Sequence, residues 1–135
     1  MKIKAFIFYF FFTCIIVIAG KAQANKPAPD SLLIGTWKGS SICQIKDSPC
    51  HDETVVYHIT KHPGTDTFNV LMNKIVKDKE EEMGILPCTY NNKTRQLLST
   101  AYSGTWTFRL DKGKLKGTLF FRGYLYRVIN ITKMN

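Results

Sequence analysis

From residue 36 onward, apolar residues recur at every second position in short runs, and turn residues interrupt the runs at regular intervals. In "TWKGSSICQI" one phase carries Trp37, Gly39, Ser41, Cys43 and Ile45. "ETVVYHITK" sets Val55, Tyr57 and Ile59 against Val56, His58 and Thr60, and "HPGT" turns the chain. "TFNVLMNKIV" sets Phe68, Val70 and Met72 against Asn69, Leu71 and Asn73. A period of two is the signature of a strand with one buried face.

The charged run "KDKEEE" reads as a hairpin tip, and "MGILPCTY" as a strand whose Pro87 demands an edge position or a bulge. "NNKT" is a turn, followed by "RQLLSTAY" and by "TWTFRL" with Trp106, Phe108 and Leu110 in one phase. After the turn "DKGK", "LKGTLFF" and "YLYRVINIT" are joined across "RG", a hairpin signal. No segment shows a helical period. About eight short strands joined by hairpin-length loops predict an all-β, up-and-down antiparallel barrel, which leaves no exposed sheet edge. A two-sheet sandwich is the alternative.

Before this pattern begins, Lys2 and Lys4 precede the apolar run "AFIFYFFFTCIIVIAG", and "AQA" follows at 22–24. This is the layout of a secretory signal peptide over residues 1–24, too short in its apolar part to span a bilayer. Residues 25–31, with two prolines, read as a tail, and residues 32–135 as one barrel domain. The expected localisation is secreted or periplasmic, with no stable membrane insertion after cleavage. The leader removes Lys2, Lys4 and Lys21 and no acids, lowering the net charge from +9 to +6. The remaining basic residues are scattered among acids and glycines, so the pattern predicts a solvated surface and no nucleic-acid partner.

Export also decides the cysteines. Cys43 and Cys50 lie close enough in sequence to form a disulfide in an oxidising compartment, and Cys88 reads as a small buried side chain. The stretch "CQIKDSPCHDE" then becomes a stapled connection, with His51, Asp52 and Glu53 as an exposed lead-in to the next strand. No metal site is expected. The Cys43–Cys50 spacing is wrong for structural zinc, and His58 and His62 lie about 13 Å apart on a strand. Nothing selects an enzyme or a cofactor: His51, Asp52 and Glu53 alternate in facing, and no nucleophile elbow or phosphate loop is present.

The first strand reads "IGTWKG" and the last "LYRVINI". A Gly-x-Trp on strand one with an Arg on the final strand resembles the lipocalin and calycin arrangement. The resemblance implies that Gly35, Trp37 and Arg127 close one end of the barrel, the guanidinium covering the indole. It also implies a binding module for a small apolar or aromatic ligand at the opposite, open end. The ligand-contact candidates are Tyr57, Phe68, Met72, Trp106, Phe108 and Tyr126. An eight-stranded barrel is just wide enough for its own side chains, so for any one of these a place in the packed core ranks above a ligand contact. In size, export and disulfide content the chain is also similar to small exported inhibitors of metalloproteases and lysozymes. The partner would then be a protein, engaged by loops or by the tail at 25–31. A lysozyme target is disfavoured by the positive charge. The expected state is monomeric.

Overall fold

The computed structural model describes residues 29–135; the leader reading and residues 25–28 of the tail lie outside the described residues. Eight antiparallel strands form a closed barrel in sequential order, as the alternation predicts: β1 Gly35–Cys43, β2 Glu53–Lys61, β3 Thr67–Val76, β4 Lys79–Asn91, β5 Gln96–Ser99, β6 Gly104–Asp111, β7 Lys114–Phe121 and β8 Tyr124–Lys133. β8 returns to pair with β1 and closes the cylinder.

Three hairpins turn in two residues, at Lys77-Asp78, Lys112-Gly113 and Arg122-Gly123, with positive φ at both positions. That is the type I′ geometry, whose twist matches the twist of the flanking strands. The first of these changes the reading of "KDKEEE". Only Lys77 and Asp78 form the tip, and Glu80, Glu81 and Glu82 are paired in β4.

Inward phases agree with the sequence alternation. Trp37, Tyr57, Phe68, Phe108, Leu115 and Ile129 are fully buried and fill the middle and one end of the barrel. Gly117 makes room for this packing, because a Cβ there would lie 2.5 Å from Cδ1 of Phe108.

A short helix, α1 Pro29–Leu33, precedes the barrel. Residues 29–31, read from sequence as tail, are therefore part of its first turn. Proline and an acidic residue suit a helix start, but five residues cannot hold a helix alone. Tertiary contacts hold it. Leu33 is completely buried, Trp37 Nε1 donates to the Leu33 carbonyl at 2.8 Å, and Lys61 Nζ donates to both Asp30 carboxylate oxygens at 2.8 and 2.9 Å.

Arg127 is not at this end. It pairs with Cys43, six residues along β1 from Trp37 and about 20 Å away at ~3.3 Å per residue. The cation over the Trp37 ring is Lys133, whose Nζ lies 5.9 Å from the ring centroid and donates to the Ser31 carbonyl at 2.9 Å. Gly35 belongs to the same closure. Its φ is +135°, and a Cβ would meet Cε of Lys133 at 3.0 Å. The closed end is thus Gly35, Trp37, Lys133 and α1.

One stretch of wall is incomplete. β5 has four residues and pairs with β4 only from Thr89 to Asn91. The hydroxyl of Tyr102 donates to the Ile85 carbonyl at 2.6 Å, so that carbonyl faces the side where β5 is missing. Pro87, two residues further on, faces the same way and has no N–H to offer a neighbouring strand. Tyr102 bridges the gap from a short turn at Ala101–Ser103, in which Tyr102 and Ser103 both have positive φ (58° and 56°).

Candidate functional site

The barrel end opposite α1 holds a polar group inside an otherwise apolar cylinder. Glu53 opens β2 in the inward phase of Val55, Tyr57 and Ile59, and it pairs across the sheet with Ser41 of β1. Arg127 shares the inward phase of Ile129 and Ile131, which pair with Gly117 and Leu115. Their side chains are 13% and 14% exposed, and Arg127 Nη1 stands 3.3 Å from Glu53 Oε2. The same Nη1 donates to Ser41 Oγ at 3.1 Å and to the carbonyls of Ser41 and His51 at 3.3 Å. Arg127 Cζ also lies 5.9 Å from the Tyr126 ring centroid, within cation–π range.

The disulfide loop supports this arrangement. Cys43 and Cys50 are bonded, with Cα atoms 5.9 Å apart, and Asp52 Oδ1 accepts the Cys43 N–H at 2.9 Å. The His51 carbonyl is thereby held where Arg127 can reach it. Of the three residues read as an exposed lead-in, Glu53 is instead a largely enclosed partner of Arg127. His51 stays exposed, its ring 4.0 Å from Glu53.

Beside the ion pair is a cavity of about 200 Å³ lined by Ser41, Glu53, Tyr57, Met72, Met83, Tyr102, Trp106 and Arg127. Tyr57 stands edge-on to Phe108, with ring centroids 6.2 Å apart. Burial pushes its hydroxyl well above the ordinary phenol range; Arg127 opposes that shift and Glu53 adds to it. The group is therefore a neutral phenol at physiological pH. It has no hydrogen-bond partner among the described residues. Trp106 lies almost parallel to Phe108, and its indole N–H donates to the Ala101 carbonyl at 3.1 Å, which leaves the ring to form a wall.

Of the six ligand-contact candidates, Tyr57, Met72 and Trp106 line this cavity. Phe68 and Phe108 are buried in the core beneath it, each 1% exposed, and Tyr126 packs edge-to-face on Phe121. Sequence reasoning missed Ser41, Glu53, Met83 and Tyr102 as lining residues and assigned Arg127 to the other end. A larger, shallower hollow of about 550 Å³ lies on the wall where β5 is short, lined by Pro87, Thr89, Leu98, Ala101, Thr105 and Trp106 among others.

A second polar cluster sits on the outer wall. His58 Nε2 is 2.7 Å from Glu80 Oε2, which also accepts from Asn73 Nδ2 at 2.6 Å, and Thr36 Oγ1 is 3.1 Å from His58 Nδ1. These residues line none of the hollows just described. His58 is committed to Glu80 and not to His62. Among the described residues, no group of three or more His, Cys, Asp or Glu side chains is placed to hold a metal ion, and no helix is long and apolar enough to cross a membrane. Compared with known families and with curated proteins, the chain matches neither a family model nor an individual relative, which leaves the geometry of the cavity as the ground for a functional reading.

Proposed function

We propose that this protein is an exported, lipocalin-like binding module that holds a small ligand with an aromatic or apolar body at the open end of its barrel and performs no catalysis on it. The observation that carries the reading is the cavity of about 200 Å³ beside Tyr57, Trp106 and Arg127. An apolar cavity of about 150 Å³ accepts benzene, so this one has room for a single ring and a substituent. A planar wall from Trp106, adaptable surface from Met72 and Met83, and a few polar groups at one side match the usual make-up of a small-molecule site.

The closed end adds support. Gly35-x-Trp37 under a cation from the last strand resembles the lipocalin closure, with Lys133 in the role expected of Arg127. Export rests on the leader pattern at 1–24 and on the Cys43–Cys50 disulfide. A protein-binding inhibitor is the other reading. Its tail version has less to support it, since Asp30 and Ser31 are already held against the barrel by Lys61 and Lys133.

The test is native mass spectrometry of protein purified without unfolding, followed by titration of small aromatic molecules against tryptophan emission. A retained mass, or an emission change that disappears in Trp106→Phe, is the expected result. A bare protein whose emission responds to none of the molecules would refute the reading.

A further inference from the structure

The cavity contains a charge of each sign, already paired, and this restricts what can bind. We infer that the ligand is a small, electrically neutral molecule with a planar ring and a hydrogen-bond acceptor such as an amide carbonyl, and that the internal Glu53–Arg127 pair excludes its charged analogues. The inference rests on the ligand-binding reading above and specifies its ligand class.

Three observations carry it. First, Glu53 and Arg127 are both nearly enclosed and 3.3 Å apart, so the pair presents no net charge to a guest. A carboxylate brought to Arg127 is also brought to Glu53, and an ammonium brought to Glu53 meets Arg127. Either would give up its hydration without gaining an unpaired partner. Second, the pocket still offers donors. The hydrogen bonds of Arg127 to Ser41 and His51 all leave from Nη1, so its Nε and Nη2 hydrogens remain, and the Tyr57 hydroxyl has no partner among the described residues. A neutral acceptor satisfies these donors without disturbing the ion pair. Third, scaling from benzene in about 150 Å³, the volume admits roughly eight non-hydrogen atoms, one ring with a short polar substituent.

Benzamide, benzoate and benzylammonium each join one phenyl ring to one short polar group and differ in charge, and their affinities for the protein without its leader can be compared by calorimetry at pH 7. Benzamide is expected to bind about tenfold or more tightly than either ion. In Glu53→Gln the guanidinium loses its partner and the order should invert towards benzoate; in Arg127→Gln it should invert towards benzylammonium. If either variant fails to fold, the wild-type series still decides. Benzoate or benzylammonium binding as tightly as benzamide to the wild type overturns the neutral class and leaves the pocket reading in place. No heat and no change in Trp106 emission with any of the three overturns both.

Discussion

Leu33→Ala tests whether the segment before the first strand is a working part of the barrel. Leu33 belongs to a five-residue helix, yet it is completely buried at the closed end, beside a Trp37 that is buried to the same extent. Truncation removes three carbon atoms, worth about 2 kcal/mol at ~0.8 kcal/mol per buried methylene. The cavity left behind adds about 1 kcal/mol, held to the low side because so short a helix can settle inward. The expected loss of about 3 kcal/mol is a large fraction of the 5–15 kcal/mol typical of a domain. It corresponds to a fall in Tm of roughly 12–24 °C. Ile34→Ala deletes a similar group at a position that is 40% exposed and should cost about 0.5 kcal/mol or less. Urea unfolding followed by tryptophan emission measures both. If Leu33→Ala loses less than about 1 kcal/mol, no more than its neighbour, α1 does not plug the barrel and the account of the closed end fails.

Reduction of Cys43–Cys50 should lower stability by about 2.5 kcal/mol through the freed loop entropy, and an unchanged urea midpoint in a phosphine reductant would contradict that. Cys88 is buried, and loss of hydration pushes its thiol from 9.0 up to about 12. The fold therefore favours the neutral form, and stability falls as pH rises from about 9 towards 12; native Cys88 should resist a thiol reagent at pH 8 and label only on unfolding, so rapid native labelling would show it to be accessible. On the outer wall, the hydrogen bond from His58, then that from Asn73, holds the Glu80 carboxyl below its ordinary value of 4.5, a contribution present above that pH and lost as pH falls through the lowered value. His58→Ala should move the Glu80 titration upward by NMR, and an unmoved midpoint would mean that the pair does not form in solution.

The barrel was legible because a period of two survives in most of the strands, and turn residues mark most of the hairpins. The site was legible only in part. Extending the inward phase of β2 two residues back from Val55 reaches Glu53, and the inward phase of β1 includes Ser41, so both were accessible to the same reasoning. Their polarity concealed them, since a charged residue at a strand start reads as solvated until a partner is known. Arg127 illustrates the same difficulty across the barrel. Nothing local says whether a basic residue on β8 is level with Trp37 or with Cys43; that depends on the β1–β8 register, which also places Lys133 over the indole. Met83 and Tyr102 had no periodic signal. Met83 lies at the irregularity in β3–β4 pairing near Met72, and Tyr102 sits in a turn with left-handed backbone angles.

Pro87 has a consequence for how the protein behaves towards copies of itself. The residue that leaves β4 without a continuous neighbour also makes the exposed strand a poor template for another chain. An incoming strand would find no amide hydrogen at Pro87, an irregular backbone at Met83, and the carboxylates of Glu81 and Glu82 beyond it. Prolines, bulges and charges are the features by which proteins keep exposed strands from pairing with one another. The interrupted wall is therefore a poor edge for strand-to-strand assembly, and Tyr102 covers the interruption from within the same molecule.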